Sequence, residues 1–316
     1  MERCSLIAPA KINLYLEIIG DRPDGFHELA MVMQSVDLVD RIDLHSISTD
    51  TIRVRCSHPG VPSDRSNLAY RAARLMAERF PETFANLGGV EIHIDKQIPI
   101  AAGLAGGSAN AAAVLVGLNL LWKLGLTQPE LQELAAELGS DIPFCISGGT
   151  ALATGRGEKI SPLPNMEGLH VVLGKFRNLA VSTPWAYKTF RERFSHQYIT
   201  DKAEQAERHR EVHAGPMVSA LFKHDREKIG RLLYNDLEKI VLPEFPDVAK
   251  LREAMAEPEV LGAMMSGSGP TVFALTDTEE KACRVRDAVR AKILDEELDL
   301  WVTKFFPTGI STVDGV

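Results

Sequence analysis

The sequence has few cysteines, and they are not spaced for pairing. Cys4, Cys56, Cys145 and Cys283 lie far apart, and no CxxC pair occurs. This spacing argues against a disulfide framework or a zinc site and favours reduced thiols. We expect each cysteine to be a small buried side chain.

Long hydrophobic runs and an excess of basic residues are also missing. No apolar run reaches the roughly 18 residues that a membrane-spanning helix requires, and no leader-peptide pattern precedes the first alternating segment. The chain has 35 Lys and Arg against 43 Asp and Glu, a formal net charge of −8. That balance argues against a general binder of nucleic acid or of anionic membranes. We therefore expect a cytoplasmic protein with neither kind of partner.

What is present is the composition of a soluble globular protein. The 316 residues are 45% hydrophobic and 25% charged, enough for one large domain or two of ordinary size. Strand-like and helix-like patterns alternate without internal repeats. We predict two domains, residues 1–160 and residues 161–316.

A glycine-rich turn, "PIAAGLAGG", leads directly into the apolar helix pattern "SANAAAVLVGLNLLW". Gly103, Gly106 and Gly107 allow backbone angles and close approaches that a Cβ would forbid. The first turn of such a helix offers unpaired N–H groups and partial positive charge, which suits a phosphate. Ser108 could cap the helix or turn its hydroxyl toward a ligand. The alternative is a turn that only lets a buried helix start close to a strand.

Two common nucleotide motifs are excluded for this turn. The P-loop pattern requires a lysine directly after the last glycine, and here Gly107 is followed by Ser108. The dinucleotide fingerprint G-x-G-x-x-G is not matched by "GLAGGSA" either. An NAD-linked oxidoreductase is therefore disfavoured.

The first strand pattern, "KINLYLEI", carries a lysine and an amide at alternate positions. Alternation predicts that Ile12, Leu14, Leu16 and Ile18 share one face, with Lys11 and Asn13 on the other. A lysine and an amide on one face suit a site. A solvated face of an edge strand explains them equally well.

Two further features could contribute chemistry. Asp141, in "LGSDIPF", follows a helix end and precedes an apolar segment that we predict to be a strand; its carboxylate could take a proton from a hydroxyl. A turn aspartate bonded to backbone amides is the alternative. Gly267 and Gly269, in "SGSGPTVFAL", predict a second tight turn. The charged segment Asp201–Gly215 lacks an apolar period and is predicted to be an exposed connection.

A phosphate-binding turn, a lysine, an aspartate and a second glycine turn are together the parts that phosphoryl transfer needs. They also match a family. "PAKINLYL", "PIAAGLAGGSANAA" and "SGSGPTVFAL" resemble, in order and spacing, three motifs of the GHMP family of small-molecule kinases. The resemblance implies an α+β, two-domain GHMP kinase fold. Its N-terminal domain would be a ribosomal-protein-S5-like βαβ domain and its C-terminal domain a ferredoxin-like α/β domain.

The resemblance also implies catalytic roles. Asp141 matches the aspartate that takes the proton from the substrate hydroxyl, and Lys11 the lysine that stabilises negative charge beside it. Asn13 would help to position the acceptor. ATP, carrying Mg²⁺, would be the cofactor, with no metal ligands assigned to the chain. Its phosphates would be held by the loop residues Pro99, Ile100, Ala101, Ala102, Gly103, Leu104, Ala105, Gly106, Gly107, Ser108 and Ala109.

The segments "DGFH", "LGSDIPF" and "NDLE" narrow the resemblance to members whose acceptor is a cytidine diphosphate-linked polyol. His27 matches the histidine that hydrogen-bonds the cytosine. Phe26 stands where an aromatic residue, often tyrosine, stacks on that base, and Tyr187 is the candidate for its other face. A small molecule, rather than nucleic acid or a membrane, is thus the expected partner.

Rival interpretations remain within and outside the family. A mevalonate-route kinase or decarboxylase is disfavoured because its substrate has no base for the Asp24–His27 turn to recognise. A non-catalytic nucleotide-binding regulator would be favoured only if Lys11 or Asp141 were replaced. Ala102, Ala105 and Ala109 stand where relatives often have glycine or serine, which predicts a stiffer loop.

Overall fold

The structure is a computed structural model that describes residues 3–256 and 258–313. Its strands are β1 (Arg3–Asp21), β2 (His27–Ile47), β3 (Ile52–Cys56), β4 (Gly89–Asp95), β5 (Thr150–Gly155), β6 (Lys159–Leu163), β7 (His170–Phe176), β8 (Tyr234–Asn235), β9 (Gly262–Met265), β10 (Val272–Thr276), β11 (Leu298–Lys304) and β12 (Ser311–Thr312). Its α-helices are α1 (Leu68–Arg79), α2 (Pro81–Leu87), α3 (Gly106–Leu121), α4 (Gln128–Leu138), α5 (Ile142–Ser147), α6 (Thr183–Phe194), α7 (Lys202–His213), α8 (Pro216–Phe222), α9 (Arg226–Arg231), α10 (Glu238–Glu244), α11 (Pro246–Met255) and α12 (Glu279–Lys292). A 3₁₀ turn, Ser195–Gln197, follows α6.

Two β-sheets organise these elements. The first sheet has the order β12-β1-β2-β4-β3, with β5 and β6 continuing from β2 and β8 beside β1. The second sheet is antiparallel in the order β11-β7-β10-β9. In chain order this is 4-1-3-2, the arrangement of a ferredoxin-like βαββαβ unit. The predicted α+β fold with a ferredoxin-like second half is confirmed.

The helix after the glycine turn is the centre of the first hydrophobic core. Its alanines, Val114 and all but one of its leucines are buried, against α1 on one side and β1 and β2 on the other. The small alanine side chains let the helix lie close to the sheet. A second cluster joins apolar side chains of both sheets, including Ile12 and Leu14 from β1 and Leu173 and Phe273 from the second sheet.

The prediction that Ile12, Leu14, Leu16 and Ile18 share one face is wrong. Ile12 and Leu14 belong to the core between the sheets, whereas Leu16 and Ile18 belong to the core under α3. The cause is an irregularity in the β1–β2 register between Asn13 and Tyr15. One extra residue in a strand reverses which face the following side chains take. Leu16 therefore lies on the same side as the cleft-lining residues before the bulge.

Two local predictions are also wrong. The apolar segment after Asp141 is a helix, α5, because a run of five apolar residues has no period that separates strand from helix. The segment after Asp201 is mostly exposed, as predicted, but it is helix α7 rather than a connection, with Asp201 accepting from the amides of Ala203 and Glu204. Arg208 of α7 donates to both carboxylate oxygens of Glu17 on β1, at 2.9 and 3.1 Å. Capping and ion pairing, rather than an apolar face, hold this helix.

All four cysteines are free, and Cys145 is buried while the other three are partly buried. Among the described residues, no helix combines the length and apolar character needed to cross a bilayer; the cytoplasmic location stays a prediction. The domain boundary at residue 160 also stays a prediction. Strand β6, which pairs with β5 in the first sheet, runs across it to Leu163.

Candidate active site

A cleft of about 870 Å³ gathers most of the predicted site residues. It is bounded by the glycine loop, the middle of β1, the turn between β1 and β2, the start of α5, the first half of α6 and the second glycine turn. Leu104 and Ala109 are the two predicted loop residues that do not line it. Both side chains are buried in the core. Leu104 contributes to the loop through its carbonyl oxygen, which accepts a hydrogen bond from the Lys11 amide.

The glycine loop has the unusual backbone that its sequence predicts. Gly103 has φ of 74°, and a Cβ there would lie 2.3 Å from the carbonyl oxygen of Ser266. Ala101 and Ala105 also take positive φ, 48° and 56°, which costs an alanine about 1–2 kcal/mol each. The surrounding contacts must therefore impose this shape on the loop.

Three hydrogen bonds fix the loop to its neighbours. The Lys11 amide of β1 donates to Leu104 O at 3.1 Å. From the second glycine turn, Ser266 Oγ donates to Gly103 O at 3.0 Å, and the Thr271 amide donates to Ala102 O at 3.3 Å. The loop is thus pinned from both halves of the chain.

Helix α3 starts earlier than the alanine run suggests. Ala105 occupies the N-cap position and Gly106 is the first helical residue, so the helix has no side-chain cap. Capping by Ser108 is therefore excluded, because Ser108 lies inside the first turn and lines the cleft. The unpaired amides at this helix start, with the helix dipole, form a local positive end in an acidic protein.

Lys11, Asn13 and Asp141 form one polar group in the cleft. Lys11 Nζ donates to Asn13 Oδ1 at 2.7 Å and lies 3.6 Å from Asp141 Oδ2. Lys11 and Asn13 are buried, whereas the side chain of Asp141 is 32% exposed. The interpretation as a solvated face of an edge strand is wrong, because Lys11 and Asn13 are buried and the Lys11 amide is bonded to Leu104 O of the loop. An accessible carboxylate beside a buried ammonium is suited to receive a proton.

Asp141 lies at the N-cap position of α5, yet its carboxylate accepts no capping hydrogen bond from the described helix amides. The interpretation as an ordinary turn aspartate is therefore wrong. Its charged partner is Lys11, from a strand distant in sequence. The Asp141 carboxylate therefore makes no capping bond to its own helix and is available to a ligand in the cleft.

Aromatic side chains surround His27 at the other end of the cleft. Its ring lies 5.2 Å from that of Tyr187 and 5.8 Å from that of Tyr198, and the Tyr198 hydroxyl is hydrogen-bonded to His27 Nε2 at 3.0 Å. Phe26 is 48% exposed, and the guanidinium of Arg156 lies 5.0 Å from its ring centre. A large exposed ring beside a buried imidazole can receive a planar polar ligand.

The protonation of His27 is set by its surroundings. Burial and, secondly, the charge of Arg191 lower the pKa of His27 to about 4, against a smaller opposing effect of Asp21. Arg191 itself donates to Asp21 Oδ1 at 2.8 Å and to Gly25 O at 2.9 Å, which fastens the turn to α6. His27 is therefore neutral at pH 7, with one ring nitrogen a donor and the other an acceptor.

Comparisons with known proteins agree with this geometry. Family models match two parts of the chain, "GHMP kinases N terminal domain" over residues 67–149 and "GHMP kinases C terminal" over residues 217–294. The chain is 62% identical to the 4-diphosphocytidyl-2-C-methyl-D-erythritol kinase of Trichodesmium erythraeum, over 98% of this chain and 99% of that protein. This chain belongs to the GHMP kinase family.

Other relatives extend the likeness. The protein of the same name from Nostoc punctiforme is also 62% identical, over the full length of both chains. A crystal structure of 4-(cytidine 5'-diphospho)-2C-methyl-D-erythritol kinase has a TM-score of 0.72 at 31% identity, covering 95% of this chain and 98% of that one. The mevalonate kinase of L. major, in complex with R-mevalonate, has a TM-score of 0.71 at 17% identity, covering 98% and 97%. That last likeness shows the GHMP kinase fold alone.

Sequence reasoning missed two residues that support the walls of this GHMP kinase cleft without lining it. Asn235, in the "NDLE" segment, donates from Nδ2 to Met265 O at 2.9 Å and to Gly267 O at 2.8 Å, and so shapes the second glycine turn. Tyr198 reaches His27 from beyond α6. The "NDLE" resemblance was a usable signal for Asn235, whereas a lone tyrosine in a charged region gave none for Tyr198.

Proposed function

We propose that this protein transfers the γ-phosphoryl group of ATP to the 2-hydroxyl of 4-diphosphocytidyl-2-C-methyl-D-erythritol, a step of the non-mevalonate route to isoprenoid precursors. The observation that carries the proposal is the order of groups along one cleft. The Lys11–Asp141 pair belongs to the same cleft as an anion-binding loop and an aromatic pocket around His27. The names of the curated relatives supply the substrate.

The loop and the start of α3 would hold the phosphates of ATP. Backbone amides at a helix N-terminus bind phosphate without a side-chain charge, and the glycines let the phosphates approach the main chain. The cleft-lining residues of the loop are Pro99–Gly103 and Ala105–Ser108. The carbonyl of Leu104 would support the loop, and the side chains of Leu104 and Ala109 would pack in the core beneath it.

Asp141 would accept the proton of the acceptor hydroxyl as that oxygen attacks the γ-phosphorus. Such a positioned base contributes roughly 10²- to 10⁴-fold. The ammonium of Lys11, held by Asn13 and 3.6 Å from Asp141, would stabilise the negative charge that develops on the reacting oxygens. Asn13 is fully buried, so we propose that its role is to orient the Lys11 ammonium rather than to make a strong contact with the acceptor.

The aromatic pocket would recognise the cytosine. Because Nε2 of neutral His27 is bonded to the Tyr198 hydroxyl, its Nδ1 would meet the cytosine, and the exposed ring of Phe26 and that of Tyr187 offer stacking faces. Mevalonate has no base to use these groups. The pocket therefore favours a cytidyl acceptor over other acceptors of the family.

Magnesium would enter with ATP rather than as a resident metal. Mg²⁺ keeps several waters and is held by one or two protein oxygens together with substrate phosphates. The cleft fits that demand, because Ser108 and Asp141 both present oxygens to it. Bound there, the ion would neutralise phosphate charge during transfer.

The test is release of ADP from ATP and magnesium, with the cytidyl substrate run beside mevalonate, phosphomevalonate and homoserine. Release with the cytidyl substrate alone is expected. Release with a different acceptor would keep the kinase and refute the substrate. If none of the four supports release, the proposal fails.

A further inference from the structure

Asp40, on β2, is a fully buried carboxylate with four donors. It accepts from the ammonium of Lys96, from the amides of Gln97 and Ile98 at 2.7 and 2.8 Å, and from Asn110 Nδ2 at 2.7 Å. Its exposed fraction is 0%. Asp40 does not line the cleft, so any effect of Asp40 on ligand binding must act through the residues that it holds.

The four donors come from the two ends of the glycine loop. Residues 96–98 form the chain that leaves β4 and enters the loop, and Asn110 lies in the first turns of the helix that leaves it. One carboxylate therefore fastens the entry and the exit of the loop at a fixed separation. Lys96 and Asn110 both line the cleft, and a Cβ on Gly106, at the helix start, would come within 2.7 Å of Lys96 Nζ.

An apolar side chain could not replace this arrangement. The amides of Gln97 and Ile98 would each lose their acceptor, and the buried ammonium of Lys96 would lose its counter-charge. Burial lowers the pKa of Lys96, and the charge of Asp40 opposes that shift. Burying an ion pair is a poor way to gain stability, since desolvation offsets much of the attraction. We therefore expect the Asp40–Lys96 pair to fix the geometry of the loop ends rather than to add much stability.

We propose that Asp40 is a positioning residue for ATP: it sets the separation of the loop's two ends and thereby aims the amides that hold the phosphates. The inference rests on the proposed function, because it takes ATP to be the ligand of this loop. It concerns the nucleotide half of the cleft alone. Asp40 has no bond to the Lys11–Asp141 pair or to the residues around His27.

The main variant is Asp40→Asn, which keeps the size of the side chain and removes the charge. We expect KM for ATP to rise tenfold or more, while KM for the cytidyl acceptor changes less than twofold. Asp43→Asn is the matched control. Asp43 lies on the same strand, outside the cleft, and bonds to Ser5 and Arg41. Both KM values should stay unchanged in this control.

A second variant guards against loss of folding, since Asp40→Asn leaves Lys96 buried without its counter-charge. Asn110→Ala removes one of the four donors and keeps the ion pair. We expect it to fold and to raise KM for ATP about three- to fivefold, again without change for the acceptor. A purely structural role would instead lower the melting temperature and leave the ratio of the two KM values at the wild-type level.

Wild-type protein is measured first, for turnover and for the rise in melting temperature with ATP and magnesium. Wild-type protein that neither binds nor uses ATP would overturn both the proposed function and this inference. If the wild type uses ATP and the folded variants have an unchanged KM for ATP, only the role of Asp40 is wrong. An equal rise in both KM values would also contradict it.

Discussion

Main-chain atoms form much of one end of the cleft, whereas side chains form the other end. At the nucleotide end, the backbone of the glycine loop and of the α3 start forms much of the surface, and the cleft-lining side chains from Ala101 to Ser108 are small. At the acceptor end, side chains form the site: Lys11 and Asp141, then Phe26, His27 and Tyr187. They come from β1, the turn after it, the start of α5 and helix α6.

This difference determines how each end responds to substitution. A backbone site has no single group to remove, so substitutions there act through shape. A side-chain site loses a defined chemical group with each substitution. The first kind of change should alter ATP binding and local stability, and the second should alter turnover or acceptor binding.

The largest expected effect is at Asp141, which belongs with Lys11 to the acceptor end. Asp141→Asn keeps the shape of the side chain and removes its capacity to take a proton, so kcat should fall about 10³-fold. The variant should still fold, because Asp141 is partly exposed and makes no capping bond among the described residues, but its melting temperature should fall slightly, because the buried Lys11 loses its charged partner. Steady-state ADP release and thermal denaturation test this together. Turnover close to that of the wild type would refute the role of Asp141.

At the nucleotide end, Gly103→Ala should be the most damaging small change. The new Cβ would meet Ser266 O at 2.3 Å in a left-handed backbone that alone costs about 1–2 kcal/mol. We expect a lower melting temperature and a smaller rise of that temperature with ATP. Gly125→Ala is the matched control. Gly125 has the same left-handed backbone, with φ of 71°, but it lies outside the cleft and its Cβ would meet no atom within 4 Å, so the rise of the melting temperature with ATP should stay at the wild-type level. Equal effects of the two substitutions would contradict the account.

At the acceptor end, Phe26→Ala should weaken binding of the cytidyl substrate. Stacking of a base on an aromatic ring is worth about 1–3 kcal/mol, so KM for the acceptor should rise about tenfold. Phe26→Tyr should change it less than threefold, because the stacking face remains. Phe222→Ala is the control, since Phe222 is also exposed but lies outside the cleft. An unchanged KM for Phe26→Ala would remove Phe26 from the site.

The smallest expected effect concerns pH. With a folded-state pKa of about 4, His27 stays neutral between pH 5.5 and 8, so it should add no pH dependence to acceptor binding there. Between pH 6.5 and 4, the unfolded chain binds a proton that the folded chain does not, so this group lowers stability as pH falls. NMR titration of the His27 ring would check both. A midpoint near 6.5 would contradict the structural environment described here.

The sequence predicted the motifs better than their surroundings. The strand with Lys11, the glycine loop and the helix after it have local signals, namely alternation, glycine spacing and helix-forming residues. The burial of Lys11 and its approach to Asp141 depend on pairing between distant segments, and no local pattern encodes that. The bulge after Asn13 likewise depends on the partner strand β2.

Helix α7 and the hydrogen bonds of Asp40 also depend on contacts between distant segments, which the local sequence does not reveal. A charged helix without an apolar period resembles a loop in sequence, and its cap and its ion pair with Glu17 appear only in three dimensions. Asp40 stands in an ordinary alternating strand. Its four donors lie 56–70 residues further along the chain, so its sequence context carries no sign of them.

The most direct test of the contrast between the two ends is to measure both KM values for Gly103→Ala and for Phe26→Ala in one assay of ADP release. We expect a crossed result, in which Gly103→Ala raises KM for ATP alone and Phe26→Ala raises KM for the cytidyl acceptor alone. If each substitution raised both KM values alike, the cleft would be one coupled site and the division drawn here would be wrong.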